Sequence, residues 1–212
     1  MIGNGEMAPR YDVVVIGTGA GGGTLIRRLA PTGKKILVLE RGSFLPREKA
    51  NWDAREVWAR GRYHSPETWY GPNGERLRAE QHYFVGGNTK LYGAALFRFR
   101  ERDFERVRHD GGVSPEWPVK YGDFAPYYEE AEKLYDVHGS RGGDPTEPLD
   151  SSSYPFSAVP PEPQMEEIRA ALEKESLHPF ELPLGVKVVD GNNGCAGCIL
   201  CDTCDGFPCL LD

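Results

Sequence analysis

The chain has 212 residues, 39% hydrophobic and 27% charged, the profile of an ordinary soluble globular protein. Its formal charge of -7 argues against nucleic acid or an anionic membrane as the main partner. No apolar run approaches the roughly 20 residues that span a bilayer. The opening MIGNGEMAPR lacks the basic start and apolar core of a secretory signal, so a cytoplasmic location is expected.

In chain order, Tyr11 to Ile16 (YDVVVI) is a nearly continuous apolar run that ends in glycines. Such a run reads as a parallel strand covered on both faces. From Ala20 to Leu29 the pattern turns helical, with Leu25, Ile26 and Leu29 on one face, and Pro31 and Gly33 end it. Lys35 to Leu39 (KILVL) is a second buried strand, closed by Glu40, Arg41 and Gly42. Strand, glycine turn, helix and strand within about 30 residues form a βαβ unit with a right-handed crossover.

Ser43 to Gln81 shows no clear period and is expected to be an ordered excursion of loops and short helix. In Tyr83 to Arg100 a glycine pair opens an apolar stretch. Asp123 is the predicted N-cap of a helix running to about His138, with Phe124, Tyr127, Tyr128, Ala131, Leu134 and Tyr135 as its stripe and Gly139 as its stop. Residues 142–163 form a polar, proline-rich connection. Met165, Ile168, Ala171 and Leu172 then mark another amphipathic helix reaching about Ser176.

Gly17-Thr18-Gly19-Ala20-Gly21-Gly22 satisfies G-x-G-x-x-G. Gly17 permits the tight turn out of the strand, Gly19 lets a pyrophosphate approach the backbone, and Gly22 lets the helix lie against the strand. Phosphates would then bind N–H groups at the positive end of the helix dipole. Glu40 ends the second strand, where a carboxylate accepts hydrogen bonds from a ribose 2′-hydroxyl and repels a 2′-phosphate, which disfavours NADP. Strand, helix and terminal acid together supply the context that a bare glycine motif lacks. The βαβ fingerprint alone does not separate FAD from NAD.

A second glycine motif does better, through a resemblance. Val85-Gly86-Gly87-Asn88-Thr89, followed by Tyr92-Gly93, Arg98 and Asp103-Phe104, resembles the GG-S/T segment of the glucose–methanol–choline oxidoreductases. Ser114 to Gly139 is similar to that family's connection after the motif. The resemblance implies FAD bound in an extended form. The first glycine turn would hold the pyrophosphate, Glu40, next to Arg41, the adenosine ribose, and the Gly86-to-Gly93 loop would follow the pyrophosphate and flavin. The residues fit this role: Gly86 and Gly87 let backbone come close to a cofactor, and Asn88 and Thr89 can donate hydrogen bonds to it.

Some family members attach flavin through a His five positions after the first Gly of this pair. Leu91 stands there, so non-covalent FAD is expected. The family also implies oxidation of a CH–OH group of an alcohol or sugar, in which a base takes the hydroxyl proton while hydride passes to flavin. It places the catalytic His far towards the C-terminus of a longer chain. None of His64, His82, His109, His138 and His178 stands in that context, so no catalytic residue is assigned. The chain therefore reads as truncated and inactive by itself, needing its remainder or a second subunit.

Five cysteines crowd the tail, as Cys195-x2-Cys198-x2-Cys201-x2-Cys204-x4-Cys209. The first three spacings are similar to a bacterial ferredoxin loop, but the fourth departs, and Pro208 precedes the last Cys instead of following it. An iron–sulfur cluster held by Cys195, Cys198, Cys201 and Cys204, a zinc ion, and plain thiols or a local disulfide all remain open readings. Some flavin dehydrogenase subunits related to the family carry a cluster in a comparable loop with different spacing.

The expected fold is α/β, a Rossmann-like FAD-binding βαβ core over residues 1–110. Residues 111–194 form a connection and partial substrate domain, and residues 195–212 a cysteine-rich loop. An NAD-dependent dehydrogenase is the first rival, though it leaves the Gly86-Gly87 segment unexplained. A non-catalytic redox subunit working through the cysteine loop is the second.

Overall fold

The structure is a computed structural model, and it describes residues 9–78, 80–91, 93–148, 152–161 and 163–186. It divides into two compact units, Met1–Tyr92 and Gly93–Asp212.

In the first unit, β1 (Val13–Ile16) pairs in parallel with β2 (Ile36–Leu39), joined through α1 (Ala20–Leu29). The register sets Val13 against Ile36 and Ile16 against Leu39, so both strands end together beside the glycine turn. β1 is not covered on both faces, as its apolar run implies. Val15 is buried, whereas Val14 is 53% and Ile16 82% exposed. Among the described residues β1 pairs as a strand only with β2, and α1 shields one face, so alternate side chains have nothing to pack against.

The excursion holds a 3-10 turn at Lys49–Trp52, a single π-helical turn at Arg55–Ala59 that buries Val57 completely, and a hairpin of β3 (Thr68–Tyr70) with β4 (Arg76–Arg78). Arg60 N–H donates to Arg55 O at 2.8 Å and closes the π turn.

The second unit carries β5 (Val107–His109) and β6 (Gly112–Ser114) as a hairpin, then α2 (Tyr121–Leu134). Three further strands, β7 (Val137–Gly139), β8 (Phe156–Ser157) and β9 (Leu184–Gly185), form a sheet with β7 in the middle; α3 (Pro163–Lys174) lies between β8 and β9 in sequence. Asp123 is not the N-cap of α2. It occupies the third helical position, where its Oδ2 accepts the Lys120 N–H at 2.8 Å as half of a capping box. Nor does Gly139 stop the helix, which ends at Leu134 with Asp136 in the left-handed region (φ 48°), a conformation Asp tolerates. Gly139 belongs to β7 instead.

Packing in this unit rests on an aromatic cluster and a buried ion-pair network. Phe104 stacks edge-on or tilted against Trp117, Tyr121 and Phe124 at centroid separations of 5.6–6.2 Å. Beside it, Arg98 donates Nε and Nη2 to the two oxygens of Glu132, each at 2.7 Å, with both side chains buried. Arg141 adds a bond to Glu132 Oε1 at 2.9 Å, another to Glu147, and lies over the Tyr154 ring. Burial works against the charge on Arg98, but the bonds to Glu132 and Tyr121 outweigh it and raise its pKa.

Candidate cofactor site

The site is built at the shared end of β1 and β2. Gly17 leaves β1 at φ +90°, a conformation open to glycine, and its N–H donates to Leu39 O at 2.7 Å. Gly19 then forms the N-cap position of α1, with Ala20, Gly21 and Gly22 as its first turn. The N–H of Gly23 donates to Gly19 O at 2.8 Å and opens the helix ladder, so the N–H groups before it have no acceptor within the helix. No side chain caps this end and no acid lies in its first turn. The positive end of the helix dipole is thus left for an anion.

A Cβ on Gly22 would collide with the carbonyl oxygen of Gly17, so glycine there is required by the packing of helix on strand. Gly19 differs. A Cβ there would meet only Gly86 O, at 3.8 Å, an ordinary contact, so the protein itself leaves this cradle open. A pyrophosphate fits that arrangement, because its close approach is what a side chain at residue 19 would obstruct.

Thr18 joins the two glycine motifs. Its N–H and hydroxyl both donate to Glu40 Oε2, at 2.8 and 2.5 Å, while its Oγ1 accepts the Gly86 N–H at 3.0 Å. Glu40 Oε1 accepts the Gly42 N–H at 2.9 Å. These bonds, that of Gly42 first and then the Thr18 hydroxyl, hold the Glu40 carboxyl down to about 2, so it is ionised across the neutral range. Ionised, its two oxygens are acceptor-only, which suits a hydroxyl donor such as a ribose.

Gly86 and Gly87 have φ of +98° and +58°, and a Cβ on Gly87 would lie 3.5 Å from Gly19 Cα, so the two loops approach backbone to backbone. Ser43 pairs in parallel with Phe84, and Val85 N–H donates to Ser43 O at 3.0 Å, which carries the second motif alongside the end of β2. Gly42 lies against the backbone of Tyr83 and Phe84 with no room for a Cβ.

The side chains of Asn88 and Thr89 serve the loop itself. Asn88 Oδ1 accepts the His82 N–H at 2.9 Å and its Nδ2 donates to Glu80 O at 3.3 Å, while Thr89 Oγ1 donates to Gly86 O at 2.5 Å. Arg41 pairs with Glu67 and lies 4.0 Å over the Tyr83 ring, held away from solvent-only freedom by both.

The structure therefore brings together residues 17–22, Glu40 and Gly86 to Thr89, with Arg41 adjoining. Tyr92 and the cysteines lie outside the described residues, and Gly93 opens the second unit. Among the described residues no cluster of three or more His, Cys, Asp or Glu could hold a metal ion. Sequence reasoning missed Thr18 as the junction and Gly42 as a packing site. Of the histidines, His82 Nδ1 bonds Tyr63 O, His138 Nδ1 bonds Ser157 O and His109 Nε2 bonds Ser114 Oγ, all structural contacts.

This fold is that of the FAD-dependent oxidoreductases. Over 84% of its length the chain matches such an enzyme from Chaetomium thermophilum, with a TM-score of 0.50 at 18% identity and 32% of that chain covered, a likeness of fold. No family model matches the chain. It is 31% identical over 94% of its length to 6'''-hydroxyparomomycin C oxidase of Streptomyces lividus, and 28% identical over 90% to paromamine 6'-oxidase of Streptomyces fradiae. These curated homologues are oxidoreductases of the glucose–methanol–choline type, and the chain is similar to them. It covers 36% and 34% of those two relatives, about a third of their length. No described helix is long and apolar enough to cross a membrane.

Proposed function

We propose that this chain binds FAD non-covalently and serves as the cofactor-holding part of an oxidoreductase acting on the CH–OH group of an alcohol or sugar. The observation that carries the reading is the open cradle at Gly19, backed by the uncapped start of α1 and by Thr18 tying Glu40 to Gly86. The backbone amides of residues 19–22 would bind the pyrophosphate, Glu40 would accept hydrogen bonds from the adenosine ribose, and Gly86 to Thr89 would lie along the pyrophosphate and flavin. Bound FAD supplies the hydride acceptor, and the residues of this chain bind and orient it. The homologues are alcohol and sugar oxidases and dehydrogenases, which supports the substrate class.

Leu91 supports non-covalent attachment: its alkyl side chain offers no nucleophile and is buried. Acid precipitation is expected to release all the flavin into the supernatant; flavin retained in the pellet contradicts this.

We divide the chain by role into cofactor binding over residues 1–110, the start of a substrate domain over 111–194, and the cysteine loop. The regular spacing of Cys195, Cys198, Cys201 and Cys204 favours a second, additional reading, an iron–sulfur relay for flavin electrons. Iron and acid-labile sulfide assays on anaerobically purified protein test it, and absence of iron removes it. A cytoplasmic setting suits reduced thiols.

A further inference from the structure

Beside the β3–β4 hairpin lies a cleft of about 500 Å³, within the range of small-molecule sites. It uses none of the glycine-turn residues. Its hydrogen-bonding groups are mostly donors. Arg76 and Arg78 line it from β4, and neither makes an ion pair among the described residues. His64 lines it too, and its Nδ1 is buried with no hydrogen-bond partner among the described residues. Arg78 and His64 converge over Gly61. A Cβ on that residue, which has φ +59°, would overlap Arg78 Nη2 and lie 2.8 Å from His64 Nδ1. Glycine at 61 thus leaves room for both groups at one point.

The remaining polar lining agrees. Ser65 is buried, and its Oγ accepts the Glu67 N–H at 3.2 Å, which leaves its proton for an acceptor. The one carboxylate in the lining, Glu67, is engaged by Arg41 and by Tyr83, whose hydroxyl donates to it at 2.7 Å. A donor-rich cleft with its acid already neutralised calls for an acceptor-rich, negatively charged guest.

We propose that this cleft binds a small molecule through an oxyanion, a phosphate or carboxylate group, seated between Arg78 and His64. The charged groups facing His64 are Arg78 and Arg76 of the hairpin, the His82 ring at 5.0 Å, Glu80, and Glu67 across the cleft. Burial first, then His82 and Arg78, hold the imidazole below its ordinary value against the opposing pull of Glu80. An oxyanion adds negative charge beside the ring and so raises its titration midpoint, which gives the site a local signature.

The test follows the histidine ring protons of the full chain by NMR between pH 8 and 5, in sodium phosphate and in sodium chloride of equal ionic strength. His64→Gln assigns the signal. The His64 midpoint is expected to rise by about half a pH unit or more in phosphate. Arg78→Gln abolishes the phosphate-dependent rise and Arg78→Lys, which keeps the charge, retains part of it. Sodium acetate as a third salt separates the sources: a rise in acetate as well assigns general oxyanion recognition, a rise in phosphate alone assigns phosphate esters. Identical midpoints in all three salts, or a rise that survives Arg78→Gln, overturn the proposal. Flavin binding at the glycine turn is read separately by visible absorption, so failure of one assignment leaves the other standing.

Discussion

Gly19 and Gly22 are three positions apart and answer to different demands. Gly22→Ala drives a methyl into the Gly17 carbonyl and is expected to cost about 1–3 kcal/mol of stability, read as a lower urea midpoint. Gly19→Ala meets nothing closer than 3.8 Å and has φ −61°, so its urea midpoint should fall less than that of Gly22→Ala. Its FAD affinity, measured by quenching of flavin fluorescence, should fall by about tenfold or more, equivalent to about 1.4 kcal/mol. Glu40 adds a pH dependence. Its folded carboxyl titrates at about 2 against an ordinary 4.5, so its contribution is complete above 4.5 and is lost as the pH falls through about 2. Glu40→Gln should therefore flatten the decline of Tm over that acid window; an unchanged slope contradicts the assignment.

The glycine spacing and the acid at residue 40 were readable from the chain, because each is a local feature with a local cause. Thr18 as the junction was not. Its role depends on partners 22 and 68 positions away, which no local pattern encodes.

At the scale of elements, legibility followed local sequence pattern. β1, α1 and β2 were readable because apolar runs and glycine breaks mark their ends. The β3–β4 hairpin was not, since all six of its residues are exposed and no alternation betrays it. The start of α2 was placed by Asp123, and the structure keeps the capping role of that carboxylate while moving it from the N-cap to the third helical position. Its end was missed because Asp136 adopts the left-handed turn expected of Gly139.

The network anchoring α2 carries the sharpest prediction at this scale. Glu132→Ala strands the buried Arg98 guanidinium and should cost about 3–5 kcal/mol in urea unfolding. Lys120→Ala, which breaks the exposed pair with Glu116, should leave the midpoint unmoved.

For the whole molecule, the exposed apolar side chains of Val14, Ile16 and Leu39 on a two-stranded sheet are more than β1 and β2 can cover for one another. Among the described residues the strands are therefore not covered on both faces as the sequence implies. This surface is expected to bind the dye ANS and to drive concentration-dependent association in light scattering; a monodisperse chain that leaves the dye dark contradicts it. The likeness to the glucose–methanol–choline oxidoreductases and the α/β fold were readable from the two glycine motifs, whereas the unsatisfied sheet could be seen only once the packing was known.

The visible spectrum of the purified chain, incubated with FAD and desalted, tests the central assignment most directly. Retained yellow flavin absorption, lost in Gly19→Ala and released by acid, is the predicted result. A colourless protein that neither keeps FAD nor quenches its fluorescence would contradict it.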